Sequence, residues 1–369
     1  MSISPFERMS RNIMGMVMLI IAVTVSFSAA EEIPINEDLF RKSDYIDIVY
    51  ANGRFTSLGY LGEEDLHDDY EKPSCSHTEM TPTSLSRGIW IWNYRYAVAN
   101  EREVIDTLSA DNINKIYVQI DSGLDAFRSF LAYAELRGIT VFALDGAPGY
   151  IHDYQVLLEH ISRIRAFNKT HAGAGFEGIQ IDVEPYLNPD FNLRKKYYAQ
   201  RFLNMITELR SAAGSDIKLS FALPFWFDKF SVNGKPLSYH AIDIADEIVI
   251  MSYRTDYDEM IRFSYEELCY ASNRGREVYL GIETTRLPDE QHFIASTKDI
   301  LPFVNRRNDT FLLLKGPHDG LTVKRKYQVK SGRLTFFGNK DQVSSILRRT
   351  PRFRGFGGYV IHSYSGLYE

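Results

Sequence analysis

Residues 175–186, which read GFEGIQIDVEPY, combine a β-strand pattern with two carboxylates. Successive side chains of a strand point to opposite faces, so the apolar residues at positions 179, 181 and 183 share one face. Gln180, Asp182 and Glu184 share the other face. Three polar groups therefore project together from a segment that is otherwise apolar.

Similar β-rich runs continue through the chain after Arg87 and alternate with amphipathic helical stretches. The eight runs are residues 88–94, 113–120, 138–146, 178–184, 217–227, 246–253, 277–283 and 357–364. Strands that alternate regularly with helices pair in parallel, and eight such units are the number that closes a (β/α)8 barrel. An open doubly wound sheet is the rival fold, but no glycine-rich phosphate loop follows the first strand. The sequence therefore predicts an α/β fold, a (β/α)8 TIM barrel over residues 87–369.

Two segments fall outside this pattern. Residues 31–86 are acidic, lack sustained periodicity and are interpreted as an N-terminal extension. The interval between strands 7 and 8 is too long for one helix, and it predicts a β-hairpin insertion over about residues 310–337 that turns at Ser331-Gly332. Loops that follow barrel strands lie at the active face, so the insertion is expected there. Its basic residues indicate a solvated surface, with an anionic ligand as the alternative: Lys324, Arg325, Lys326, Lys330 and Arg333.

The first 30 residues have the layout of a secretory signal. Arg8 and Arg11 precede an apolar stretch that starts at Ile13 and ends in small residues at Ala30. We expect cleavage after Ala30, and hence a secreted, periplasmic or envelope protein with no stable membrane span. An uncleaved anchor is the alternative, because the stretch approaches the ~20 residues that cross a bilayer.

The amino-acid composition limits the classes of binding partner that the protein is expected to have. A formal charge of −6 and a pI near 5.9 exclude the basic face that a nucleic-acid binder needs. Aromatic residues make up 13% of the chain, and their flat rings suit sugar faces as well as cores. A carbohydrate partner fits this composition.

The two cysteines, Cys75 and Cys269, are compatible with one disulfide or with two free thiols.

Carboxylates accumulate where the predicted strands end, which is the end of a barrel that carries catalysis. Asp121 and Asp145 end strands 2 and 3, and Glu283 ends strand 7. A single acid is as readily explained by a structural ion pair. Several acids on one rim raise the pKa of some members and create the acid and base roles of hydrolysis. We expect no cofactor and no metal, since only His362 adds an imidazole at a strand end.

Two elements resemble family 18 glycoside hydrolases, the chitinase-like barrels. FEGIQIDVE (176–184) resembles their D-G-x-D-x-D-x-E motif on strand 4, and MSYR (251–254) resembles their Met-x-Tyr element on strand 6. The resemblance implies that Glu184 is the general acid, that Asp182 orients the substrate's acetamido group as internal nucleophile, and that Tyr253 supports the intermediate.

The chain also departs from that family pattern. Glu177 and Gln180 stand where the family has two aspartates, Arg254 follows the tyrosine where an acid is usual, and no Trp closes strand 8. A second resemblance therefore competes, to the large clan of retaining (β/α)8 glycosidases. Those enzymes carry the acid/base at the end of strand 4 and the nucleophile at the end of strand 7, which correspond here to Glu184 and Glu283. The loss of the aspartate at position 180 favours Glu283 as the second catalytic carboxylate.

These patterns predict a secreted glycoside hydrolase that cleaves a poly- or oligosaccharide by carboxylate acid/base catalysis. The alternative is a non-catalytic glycan-binding TIM barrel that has lost the chitinase-like reaction. The candidate catalytic residues are Glu184, Glu283, Asp182 and Tyr253, and the candidate substrate-binding residues are Trp92, Asp121, Asp145, Gln180, Trp226 and His362.

Overall fold

The computed structural model describes residues 31–62, 85–121, 123–171, 173–304, 309–314 and 321–369. The predicted signal peptide, residues 1–30, lies outside this part of the chain, as does Cys75. Cys269 is buried and disulfide-bonded. Within the described ranges, none of the helices has the length and apolar character needed to cross a bilayer.

Eight parallel strands close into a barrel, which confirms the predicted fold. The strands are β1 (Ser86–Ile91), β2 (Lys115–Gln119), β3 (Thr140–Asp145), β4 (Gly178–Ile181), β5 (Lys218–Pro224), β6 (Glu247–Met251), β7 (Glu277–Glu283) and β8 (Phe356–His362). Each strand pairs with its neighbours in chain order, and β8 pairs with β1 to complete the circle. Each of the eight predicted runs overlaps one of these strands, and only β1 and β8 begin before their runs, by two residues and one residue.

Helices follow every strand and cover the outside of the barrel. They are Tyr94–Ala99, Glu101–Ala110, Arg128–Leu136, Gln155–Thr170, Lys195–Ala213, Leu237–Ile244, Tyr257–Phe263, Tyr265–Arg274, Lys340–Leu347 and Tyr364–Tyr368. Local sequence sets several of their ends. Asp256 accepts a hydrogen bond from the backbone N–H of Glu259 at 2.8 Å and begins one helix, and Gly275 takes a left-handed conformation that ends another.

The barrel strands are buried on both faces. One set of side chains packs against the helices and includes Ile179, Ile181 and Val183 of the β4 segment. The other set fills the barrel axis with large side chains. It consists of Trp90, Tyr117, Phe142, Leu144, Ala222, Val249, Tyr279 and Val360, with Trp92 packed against it. The alternation predicted along β4 is therefore observed.

The N-terminal segment and the insertion after β7 fold together beside the barrel. Their strands are Glu31–Pro34, Tyr45–Ala51, Arg54–Leu61, Glu290–Ser296, Phe303–Val304, Thr310–Leu314 and Val323–Val329. They form one four-stranded and one three-stranded sheet around a separate apolar core that includes Ile46, Ile48 and Phe293. The part of the extension that is described, residues 31–62, is thus regular, whereas the sequence predicted an irregular segment.

The insertion lies between β7 and β8 as predicted, but its strands pair differently. Val323–Val329 pairs antiparallel with Glu290–Ser296, and this strand in turn pairs with Tyr45–Ala51. Ser331–Arg333 forms a 3-10 turn that leads back to the barrel rather than a hairpin turn. The predicted partner strand after Ser331 does not form, because Thr335 instead makes a parallel bridge with Glu283.

Gly146, directly after β3, permits a close backbone approach to the β4 segment. A Cβ atom at Gly146 would lie 1.9 Å from the carbonyl oxygen of Asp182, a distance that no side chain tolerates. We expect Gly146→Ala to lower the free energy of unfolding by about 1–3 kcal/mol or more, as overpacking typically does. Gly149→Ala is the matched control, because a Cβ there meets no atom within 4 Å. Denaturant unfolding measures both; equal stability of the two variants would contradict the predicted clash.

Candidate active site

The polar face of the β4 segment descends from the rim of the barrel into its axis. Gln180 is the deepest residue and is fully buried. Its side-chain oxygen accepts a hydrogen bond from the indole N–H of Trp90, and its amide donates to Ser220 Oγ at 2.9 Å. Gln180 is therefore satisfied within the barrel and offers no free group to a ligand, contrary to the prediction that it binds substrate.

Asp182 and Glu184 lie above Gln180 and are partly exposed. Burial raises the pKa of Asp182 well above its usual value, and the neighbouring charge of Glu184 raises it further. Burial also raises the pKa of Glu184, although a hydrogen bond from Tyr186 and the charge of His362 oppose the rise. Two crowded carboxyl groups of this kind retain a proton at a pH where an ordinary carboxylate has lost it.

The two carboxyl groups differ in their hydrogen bonds. Tyr186 donates its hydroxyl hydrogen to Glu184 Oε1. Asp182 Oδ1 is buried and accepts no hydrogen bond from any described residue. A buried acceptor without a donor is costly, so Asp182 Oδ1 is the oxygen of this pair that can still accept a hydrogen bond.

An aromatic wall stands next to Glu184. The ring of Tyr186 makes an edge contact with Trp226 at a centroid distance of 5.0 Å. Trp226 is partly exposed, and it lies just beyond the end of β5. The structure thus brings Trp226 beside the predicted acid through Tyr186.

Glu283 ends β7 and holds His362, which ends β8. The Glu283 carboxylate accepts hydrogen bonds from the backbone N–H of Thr285 at 2.6 Å, from the Thr285 hydroxyl at 2.7 Å, and from His362 Nδ1 at 2.9 Å. Only 3% of Glu283 is exposed. Both of its oxygens already accept hydrogen bonds, so the carboxylate is poorly placed to act as a nucleophile on a sugar carbon.

His362 and Tyr253 lie between Glu283 and the acids of the β4 segment in the electrostatics of the site. Their rings stack at a centroid distance of 6.0 Å. Burial lowers the pKa of His362, but the charge and hydrogen bond of Glu283 and the charges of Asp182 and Glu184 outweigh it and raise the pKa. Burial and the same three acids raise the pKa of the Tyr253 hydroxyl, which stays neutral and can donate a hydrogen bond.

Trp92 borders the same cluster. Its ring lies 6.2 Å from that of His362, and its indole N–H is buried without an acceptor among the described residues. An unpaired donor and the unpaired acceptor of Asp182 therefore occur in one cluster. Both are groups that a polar ligand could satisfy.

The two remaining predicted residues do not join the cluster. Asp145 faces outward with Val141 and Ala143, and His160 Nδ1 of the surrounding helix lies 3.1 Å from its carboxylate. The prediction that Asp145 binds substrate is therefore wrong, because it lies on the helix-facing side of β3. Asp121 accepts hydrogen bonds from the hydroxyl of Tyr94, in the helix after β1, and, at 2.7 Å, from the backbone N–H of Gly123.

Sequence reasoning missed Tyr186 and Trp90. Tyr186 lies two residues after Glu184, within the stretch that first indicated the site. Trp90 is an inward residue of β1 that binds Gln180 and lies 5.6 Å from the His362 ring. The alternation rule applied to β1 would have found Trp90, whereas no pattern predicts the bend that returns Tyr186 to Glu184.

No protein-family model matches the chain, and no curated protein matches it either. Several solved structures do. The spore cortex-lytic enzyme SleL of Bacillus cereus is 11% identical, with 77% of this chain and 72% of that chain covered and a TM-score of 0.41. A chitinase from Bacteroides thetaiotaomicron is 12% identical, with 77% and 91% covered and a TM-score of 0.43. A GH18 chitinase from Pseudoalteromonas aurantia is 11% identical, with 76% and 94% covered and a TM-score of 0.42.

Replacing Asp182 by its neutral isostere should stabilise the protein at neutral pH. Because burial raises the pKa of Asp182, the native state holds a proton that the unfolded chain releases once the pH passes the ordinary carboxyl value. Stability therefore falls as the pH rises from that value through the raised pKa. We expect Asp182→Asn to increase the free energy of unfolding at pH 7 by on the order of 1 kcal/mol, the usual size of a single-residue effect.

The gain should vanish below the ordinary carboxyl pKa, where both states carry the proton. Thermal unfolding between pH 3 and pH 8 measures this window. Asp258→Asn is the control, since 90% of that side chain is exposed. A constant gain at every pH would show that charge burial is not the cause.

Proposed function

We propose that this protein is an exported glycoside hydrolase that cleaves a poly- or oligosaccharide with Glu184 as the general acid. The observation that carries the proposal is the pair Asp182 and Glu184 at the open end of the barrel, where burial raises both pKa values and the charge of Glu184 raises that of Asp182 further. A general acid must hold its proton near the working pH and present it to the glycosidic oxygen. Glu184 meets the first condition by burial and the second by its partial exposure.

Asp182 is the better second carboxylate. Its Oδ1 lacks a donor, so it can accept the N–H of a substrate amide or the hydrogen of an attacking water. The resemblance to chitinase-like enzymes assigns to this position the orientation of a substrate acetamido group as the internal nucleophile. An N-acetylated sugar at the cleavage point is the substrate that fits this role.

Glu283 then serves to position and charge His362 rather than to attack the sugar. Its low exposure and its three hydrogen bonds support this role. The imidazolium that it stabilises lowers the pKa values of Asp182 and Glu184 and limits the rise that burial causes. Trp226 and Trp92 supply ring surface for sugar faces.

Export is the part of this proposal that depends on residues 1–30. Their charged start, apolar middle and small-residue end support removal after Ala30. A mature protein that begins at Glu31 by mass spectrometry agrees with export, and one that retains Met1 contradicts it.

The first functional prediction concerns Glu184→Gln, which removes the acidic proton and retains the shape. We expect turnover on an oligosaccharide panel to fall by roughly 10²- to 10⁴-fold, the usual worth of a general acid. The loss should be smallest for aryl glycosides with good leaving groups, because these need little protonation. Hydrolysis kinetics on matched good and poor leaving groups measure the effect.

Glu177→Gln is the matched control, since that carboxylate bridges Lys218 at the opposite end of the β4 strand. An equal loss on all leaving groups, or none, would remove Glu184 from the role of acid.

The second functional prediction separates the two possible roles of Glu283. Glu283→Gln should retain measurable turnover and move the alkaline limb of the pH–rate profile to higher pH. The reason is that His362 loses the partner that keeps it charged, so the pKa of Glu184 rises. His362→Gln should move the limb in the same direction.

A mechanism-based fluoro-sugar provides the contrary test. If Glu283 is the nucleophile, the reagent labels it covalently and Glu283→Gln abolishes turnover. That result would restore the retaining mechanism in which the carboxylates of Glu184 and Glu283 act together.

A glycan-binding barrel without catalysis is the second candidate function. Gln180 favours it, because a neutral amide fixed between Trp90 and Ser220 occupies a position where chitinase-like enzymes carry an aspartate. Sugar binding by wild type and Glu184→Gln alike, with no product from either, would establish this alternative.

A further inference from the structure

Arg254 is a half-buried cation at the same end of the barrel as the candidate acids. It directly follows Tyr253, whose hydroxyl pKa is raised by burial and by the charges of Glu283, Asp182 and Glu184. One guanidinium N–H donates to the carbonyl oxygen of Tyr253 at 2.6 Å. The guanidinium lies 5.0 Å from the ring of Phe225, which follows β5, and 4.5 Å from the ring of Phe263.

No carboxylate of the described residues lies within salt-bridge distance of Arg254. The acid whose charge acts on it, Glu259, is already bridged to Arg333 at 2.6 Å and to Arg262 at 3.2 Å. Burial lowers the pKa of Arg254, with further contributions from the charges of Arg333 and Arg262. Arg254 thus has no carboxylate partner of its own among the described residues.

A half-buried charge without a counterion loses part of its hydration, and two aromatic faces offset only part of that cost. A guanidinium also carries five N–H donors in a planar fork that matches a carboxylate. Tyr253 takes only one of these donors. The site is therefore preorganised for an anion that arrives from outside.

We propose that Arg254 binds a carboxylate carried by the sugar next to the cleavage point, so that the substrate is an acidic glycan. This inference rests on the proposed function and narrows its substrate class. A uronic acid and a lactyl ether on an N-acetylated sugar both supply the required group. The aromatic contacts alone would also explain Arg254 as a clamp between β5 and β6, and the experiment below separates the two roles.

The test measures binding by the full chain in the Glu184→Gln background, where hydrolysis does not interfere. The first pair of probes is the disaccharide of N-acetylglucosamine and N-acetylmuramic acid, with its carboxylate free or converted to the amide. The second pair is a hyaluronan hexasaccharide and its amide. Preference for the free acid of one pair identifies the source of the carboxylate.

We expect the free acid to bind roughly 10- to 100-fold more tightly than the amide, the size of a charge-assisted hydrogen bond. Arg254→Met should remove the preference and leave the affinity for the amide unchanged. Arg254→Lys retains the charge without the fork and should keep part of the preference. Arg262→Met, which removes an exposed cation already bridged to Glu259, should keep all of it.

Equal affinity for acid and amide, absence of binding to either acid probe, or a preference that survives in Arg254→Met would each overturn the inference. Arg254→Lys provides the same decision if Arg254→Met does not fold, because an unchanged preference there excludes bidentate recognition. The outcomes also distinguish the two proposals. Preference for the acid without any hydrolysis by wild type would refute the enzyme alone, and hydrolysis without preference would refute the acidic substrate alone.

Discussion

Closure of the barrel forces the polar side chains of β4 toward the barrel axis. Helices cover the outer face of each barrel strand, and side chains that fill the barrel axis cover the inner face. Neither face of a strand is therefore open to solvent. The helix-facing positions of the β4 segment are taken by Ile179, Ile181 and Val183. The side chains of Gln180, Asp182 and Glu184 must therefore point into the barrel. Gln180 is fully buried, and the two acids nearer the rim are partly exposed.

The chemistry of the three positions follows from that depth. At the sealed level a charge would have no compensation, and the neutral amide of Gln180 finds a donor in Trp90 and an acceptor in Ser220. One level higher, Asp182 is desolvated but lacks a donor on Oδ1. At the rim, Glu184 has Tyr186 as donor and still keeps an elevated pKa. The sequence order of amide, aspartate and glutamate thus places the neutral group at the sealed level and the two acids at the partly exposed levels above it.

Local periodicity explains how much of this was predictable. The period-two pattern of each strand depends on neighbours a few residues away, so eight strands and the inward face of β4 could be identified from sequence. The same rule assigns Asp145 to the outer face with Val141 and Ala143. Asp145 was predicted to bind substrate because it ends its strand, without regard to the face on which its side chain lies. The roles of Glu283 and His362 depend on hydrogen bonds that no periodicity encodes.

The sheets beside the barrel could not be predicted for a different reason. Tyr45–Ala51 pairs with Glu290–Ser296, so its partner lies more than half the chain away. Such strands show their alternation only when the partner is known, since the pairing decides which face is buried. His292 illustrates the point, because its ring nitrogen lies 2.9 Å from Asp47, a contact across 245 positions. An acidic, apparently irregular N-terminal segment was the natural interpretation of residues whose pairing partners lie in the insertion.

The charges around Asp182 and Glu184 bear on whether the proposed hydrolysis is possible at this site. Burial alone would hold protons on both Asp182 and Glu184, and two neutral acids could donate but could not stabilise a positive centre on the sugar. The imidazole of His362, charged through Glu283, lowers both pKa values and thereby favours a state in which one carboxyl group is ionised. Because the Asp182–Glu184 repulsion penalises a second ionisation, the pair is biased toward one proton shared between two groups. A single shared proton is the condition under which one carboxyl can act as acid while the other orients or stabilises, so in the proposed hydrolysis the Glu283–His362 pair would act through the pKa values of Asp182 and Glu184.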